Sequence, residues 1–145
     1  MDRIYPGGRL ITINFYGTVA MNTNKTFVSK LIGVPFIVRF ISQSFPAGTN
    51  RTMTTKYFIA NDPEAPTTAE PNGVNVLSQF SQAVSLTGDD ERKELAQETE
   101  IPAANGYIKL YCENADTFDH TLDAQVTLEL LPRKPKVEQP KPENI

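Results

Sequence analysis

From Thr121 to Leu130 the chain alternates without a break. Leu122, Ala124, Val126, Leu128 and Leu130 take every second position, and Thr121, Asp123, Gln125, Thr127 and Glu129 fill the positions between. Period two is the signature of a strand with one face on a core and one toward water. Upstream, Ile108, Leu110 and Cys112 alternate in the same way with Tyr107, Lys109, Tyr111 and Glu113. The polar stretch Asn114 to His120 between the two predicts an antiparallel hairpin.

The same period recurs earlier. In Arg9–Val19, Ile11, Ile13, Phe15 and Val19 fall on one face, and Leu10, Thr12, Asn14 and Tyr16 on the other. Met21 to Lys25 reads as a turn, because Asn tolerates unusual backbone angles. From Thr26 to Ser44 the chain is mostly extended. There Val34, Phe36, Val38 and Phe40 make one face, and Ile37 and Ile41 flank Arg39 on the other. A strand apolar on both faces is either central or covered from outside, so Ile37, Arg39 and Ile41 are candidate subunit-contact residues, the equal alternative being that the Asn61–Gly73 loop or a terminus folds over them. Thr52 to Ala60 is a further strand, and Val74 to Leu86 one or two more. Thr87 to Glu91 reads as a hairpin tip, which favours a strand over a short helix for the residues that follow. Asn61 to Gly73, with three prolines and three acids, is a long irregular excursion of a kind that is often functional, and is expected first as a solvated crossing over one end of the domain.

Seven or eight short strands with turn signals between them predict an all-β fold, an antiparallel β-sandwich of jelly-roll type. At 145 residues the chain is long enough for one core without disulfide staples. The expected organisation is a lead-in over 1–8, the sandwich over 9–131, and a proline-rich extended C-terminal tail over 132–145. The tail has too few apolar side chains to offset the entropy of ordering. The beginning Met1 to Gly8 has no apolar core of the secretory type, and no run approaches a membrane span. A reducing cytoplasm is therefore expected as the place of assembly.

The chemistry these residues offer is sparse. A net charge of -3, with no basic run in the folded part, leaves the chain poorly equipped for nucleic acid. The single cysteine, Cys112, sits in an apolar strand face, and its one possible histidine base is His120. The expected role is a small buried hydrophobe rather than a nucleophile. Glu113, Asp116, Asp119, His120 and Asp123 crowd one segment, yet their spacing matches neither a calcium loop nor a paired-histidine zinc motif. Asp89, Asp90 and Glu91 form an acidic tip with no partner set. No phosphate loop or nucleophile elbow is present, so no enzyme, cofactor or metal is expected. With no tryptophan, a sugar platform would have to be built from the five tyrosines.

The run Ser85-Leu86-Thr87-Gly88-Asp89, then Ile101-Pro102-Ala103, Tyr107 to Asn114 and His120-Thr121-Leu122-Asp123 resembles small β-sandwich virion proteins of tailed bacteriophages. Among these are the decoration or auxiliary proteins that stud capsid shells. The similarity covers about a third of the chain. It implies a homo-oligomer, commonly a trimer, that assembles in the host cytoplasm, binds the major capsid protein and resides on the capsid surface. The rival expectation is a jelly-roll module that recognises glycans or a host surface.

Overall fold

The computed structural model describes residues 8–78, 85–101 and 106–132. Most of the expected lead-in and nearly all of the expected tail lie outside the described residues. Nine strands are described: β1 (Arg9–Val19), β2 (Thr23–Val28), β3 (Phe36–Phe45), β4 (Met53–Ala60), β5 (Val74–Asn75), β6 (Leu86–Thr87), β7 (Glu91–Ile101), β8 (Tyr107–Asn114) and β9 (His120–Leu130). A single 3-10 turn, Val76–Ser78, follows β5. Among the described residues no helix is long and apolar enough to cross a membrane.

Two antiparallel sheets result. The first has the order β1-β9-β3-β7. The second has the order β2-β8-β4-β5, with β6 also paired to β4. Outside the β4–β6 stretch, every connection carries the chain from one sheet to the other. That is the winding of a jelly roll, and the expected fold class holds.

The winding corrects two local expectations. β8 and β9 are not a hairpin: β8 lies between β2 and β4, and β9 lies between β1 and β3. Alternation fixes which face of a strand is buried but not which strand lies beside it. Likewise Thr87 to Glu91 is not a hairpin tip. It is the corner where the chain leaves β6, on β4, and enters β7, on β3. The preference for a strand in Glu91–Ile101 was right for a different reason, since Leu95, Thr99 and Ile101 step along the inner face opposite Ile41, Val38 and Phe36. The turn expected over Met21 to Lys25 is tighter. Asn22 takes φ 52° and β2 is under way by Thr23.

The core lies between the sheets. Leu122, Ala124, Val126 and Leu128 of β9 face Ile108, Leu110 and Cys112 of β8, all at most 1% exposed. Each fully buried Leu or Val contributes about 1.5–3 kcal/mol. One polar tie crosses this core: Gln43 Oε1 accepts hydrogen bonds from Thr55 Oγ1 at 2.8 Å and from Tyr57 Oη at 2.5 Å. Burial holds the Tyr57 hydroxyl far above its ordinary pKa, so it stays a donor.

β3 breaks its own period. Its pairing shifts between Val38 and Phe40 on both sides, leaving Arg39 in a bulge. Phe36 and Val38 point inward before the bulge, Ile41 and Phe45 after it, and all four belong to the core. Ile37 and Ile41 therefore do not share a face with each other, and the geometry expected for that patch is corrected. Ile41 is 0% exposed within the sandwich, whereas Ile37 lies on the other face, opposite Glu129 and Glu100. The Arg39 guanidinium meets the buried Glu129 carboxylate at 2.6 Å and Glu98 at 3.4 Å.

The Asn61–Gly73 excursion does not cross an end. It turns back over the outer face of the second sheet. Thr26 Oγ1 of β2 donates to Pro66 O at 2.6 Å, Lys56 of β4 pairs with Glu70, and Lys109 of β8 reaches Asp62 at 2.6 Å. Lys109 and Tyr111, outward on β8, are buried beneath this strap. Gly73 lets the strap re-enter the sheet: at φ 128° a Cβ would sit 2.5 Å from Ile59 O.

Candidate functional site

The residues singled out for chemistry are dispersed. Cys112 is fully buried among core side chains, and burial pushes its thiol up to about 12. A thiol held that high is protonated at neutral pH and is not a nucleophile. His120 Nε2 lies 2.7 Å from Asp116 Oδ2 instead. Of the other carboxylates in that segment, Asp119 accepts the Met21 N–H at 2.8 Å, and Asp123 pairs with Arg92 at 3.5 Å. Glu113 sits on the outer face of β8, opposite Thr54. Among the described residues no group of three or more His, Cys, Asp or Glu side chains is placed to hold a metal ion.

What these polar residues build is one end of the sandwich. Four turns meet there: 20–22 between β1 and β2, 46–52 between β3 and β4, 88–90 between β6 and β7, and 115–119 between β8 and β9. Asn114, 2% exposed, is the centre of one half. Its Nδ2 donates to Val19 O at 3.0 Å and Phe118 O at 2.9 Å, and its Oδ1 accepts from the Asp116 N–H at 3.0 Å. Asn22 N–H reaches Asp116 O at 3.0 Å, which ties the first turn to the last.

Asp89 organises the other half. Its Oδ1 accepts from the Gly48 N–H at 3.0 Å and the Asn50 N–H at 2.9 Å. The Asn50 N–H above all holds this carboxyl below the usual carboxylate range. The His120 hydrogen bond, followed by the Thr117 N–H, does the same for Asp116. Arg51 N–H to Gly88 O at 3.1 Å, and Ala115 N–H to Thr52 O at 2.9 Å, join the two halves into one hydrogen-bonded unit.

The backbone at this end is shaped as well as tied. Among the described residues the non-glycine positions with positive φ are Asn22, Asn50, Arg51 and Asp90, at 52°, 46°, 62° and 49°, and all four are here. Asn and Asp visit the left-handed region at modest cost, but Arg51 has no such excuse and is held there by its neighbours. On this frame Met21 and Phe118 stand out to solvent, 53% and 69% exposed. The sequence marks Asp89–Asp90 and Asn114–His120 as turns. The joint surface was missed because it needs four turns far apart in the chain, and the one available signal was an apolar residue in each of two polar turns.

No family model matches this chain, and no curated protein matches it. The solved structures that it resembles include the following three. A capsid asymmetric unit of cyanophage Pam1 gives a chain 14% identical, covering 86% of this chain and 87% of its own, with a TM-score of 0.48. The mitogen from Yersinia pseudotuberculosis is 8% identical over 88% of this chain and 92% of its own, with a TM-score of 0.43. The Tobacco streak virus coat protein is 6% identical over 94% and 96%, with a TM-score of 0.43. Likeness at this level assigns no function, and the architecture stands on the strand pairing itself.

Proposed function

We propose that this chain is a non-catalytic structural protein of a virion, a decoration or stabilising protein that binds the major capsid protein on the outside of a shell. The observation that carries the reading is the braced end. Its tied turns fix the backbone at Met21 and Phe118, whose side chains stand in solvent, and a pre-ordered backbone lowers the entropy lost on docking. The jelly-roll winding supports the reading as well, since this architecture serves shell-building and binding domains alike. Assembly in the host cytoplasm, and association as a homo-oligomer, belong to the same proposal.

The test is co-sedimentation of the full chain with purified tailed-phage shells stripped of their own auxiliary protein. Saturable binding is expected. Met21→Ser with Phe118→Ser should weaken it at least tenfold while leaving the far-ultraviolet spectrum unchanged. Absence of binding to such shells, together with saturable binding on a glycan array, would replace the reading with a glycan-recognition module.

A further inference from the structure

The sandwich protects its edges unequally. β7, at one edge of the first sheet, carries Arg92, Lys93, Glu94, Glu98 and Glu100. Charges of this density discourage pairing with another chain. In the second sheet β5 and β6 are two residues long, and β2 has six. β1 is different. It is an 11-residue strand whose register against β9 runs unbroken from Arg9 to Val19, with no charged side chain after Arg9. Among the described residues it pairs on one side alone. A long, regular, uncharged edge is a template for another strand.

The space beneath β1 is also unfinished. Ile11 and Ile13 point inward yet stay half-buried, while their β9 partners Leu128 and Val126 are at most 1% exposed. Below them opens a groove of about 400 Å³, lined by Ile11, Ile13, Phe15, Val28, Leu31 and Ile32. β2 covers the other half of the strand. The Phe27 ring packs against Phe15 with centroids 6.4 Å apart, and Lys25 Nζ reaches Thr18 O at 3.5 Å. One half of β1 is roofed and the other is open.

We propose that two copies of this chain pair through β1, antiparallel about a two-fold axis at Asn14. The sequence is complementary to itself in that register. Ile11 lies opposite the partner's Gly17, Thr12 opposite the partner's Tyr16, and Ile13 opposite the partner's Phe15. Inward residues thus meet inward residues, and no charge meets a like charge. The axis also sets the roofed half of one strand against the open half of the other, so each copy's β2 closes its partner's groove. The two first sheets become one continuous sheet.

Light scattering on the free full-length chain reads this without any shell, so it stands apart from the virion reading. The expected mass tends toward twice the 16.1 kDa of one chain as concentration rises. Thr12→Lys with Tyr16→Lys sets like charges face to face and should return the monomer mass with an unchanged far-ultraviolet spectrum, because both positions are exposed, while the melting temperature loses its dependence on concentration. Thr12→Lys with Tyr16→Glu sets opposite charges face to face and should restore the dimer.

A register-specific arm uses Asn14→Cys. Directly opposite residues have Cα atoms about 4.5–5.5 Å apart, within disulfide reach. Oxidation should cross-link Asn14→Cys pairs but not Thr18→Cys pairs, and the native Cys112 is buried and silent. A trimer mass, a monomer at every concentration, equal cross-linking of the two cysteine variants, or no recovery with the opposite charges would each overturn the proposal. A chain that stays monomeric alone but is protected at β1 on a shell would show that a foreign strand fills the edge.

Discussion

The two ends of the sandwich are held in different ways. At the end where the 20–22, 46–52, 88–90 and 115–119 turns meet, side chains reach across turns to backbone groups, with Asn114 and Asp89 as centres. At the opposite end the described ties are mostly backbone to backbone: Ile32 exchanges bonds with Gly106 at 2.8 and 3.2 Å, and Leu131 N–H reaches Pro35 O at 2.9 Å. The polar residues that mark turns in the sequence thus do more than turn the chain. At one end they bind turns to one another and make a surface of fixed shape.

The contrast makes Asn114→Ala the most damaging of the simple truncations. It removes one buried hydrogen bond, to Val19 O, and two part-buried ones, to Phe118 O and from the Asp116 N–H, each worth about 0.5–1.5 kcal/mol, so a loss of about 2–4 kcal/mol is expected in urea unfolding. A loss no larger than that of an exposed turn residue would break the comparison. Asp62→Ala comes next, and it probes the strap rather than an end. It strands the buried Lys109 ammonium without its carboxylate, and the melting temperature should fall. Lys109→Met removes the charge itself and should be close to neutral, or raise stability, as replacement of a buried ion by an apolar group often does. Equal damage from the two changes would mean that the strap is held by something other than this pair.

A smaller effect is expected at the opposite end. Ser29 Oγ accepts the Ile108 N–H at 2.9 Å and donates to Lys30 O at 2.9 Å in a partly exposed setting. Ser29→Ala should cost about 0.5–1.5 kcal/mol, well below Asn114→Ala. The smallest effect is in pH. Asp89 and Asp116 have carboxyls lowered from their ordinary values. Their contribution is therefore complete above the unfolded value near ~3.9 and is lost as pH falls below it toward the folded values. Amide protection at Gly48 and Asn50, corrected for the intrinsic rate, should fall in that window more than at Ile32, and Asp89→Asn should flatten the difference.

The faces of the strands were legible in the sequence because alternation is a local property. Leu122, Ala124, Val126 and Leu128 are buried as their period says, and β7 is a strand despite its helix-forming Glu, Lys, Leu and Ala. Partnership was not legible, since β9 presents the same alternation whether β8 or β1 lies beside it. The β3 bulge also left no trace, because Val38, Arg39 and Phe40 read equally well in either phase. That single-residue shift turned an expected surface pair into a core residue, Ile41, and an outward one, Ile37. The strap hid for a related reason: Lys109 and Tyr111 are polar and outward, and their cover comes from a loop rich in proline and acids.

The pairing of β1 with β9 has a consequence in time. Thr12 and Thr127, whose hydroxyls meet at 3.4 Å, are 115 residues apart in the chain. During synthesis β1 therefore waits for β9 before the two can pair, and most of the other partnerships are long-range too. Such a topology is expected to fold on the slow millisecond-to-second scale of non-local β proteins. Throughout that wait β1, charged only at Arg9, lacks its sheet partner, so the nascent chain is most vulnerable to misassociation until residue 130 has left the ribosome.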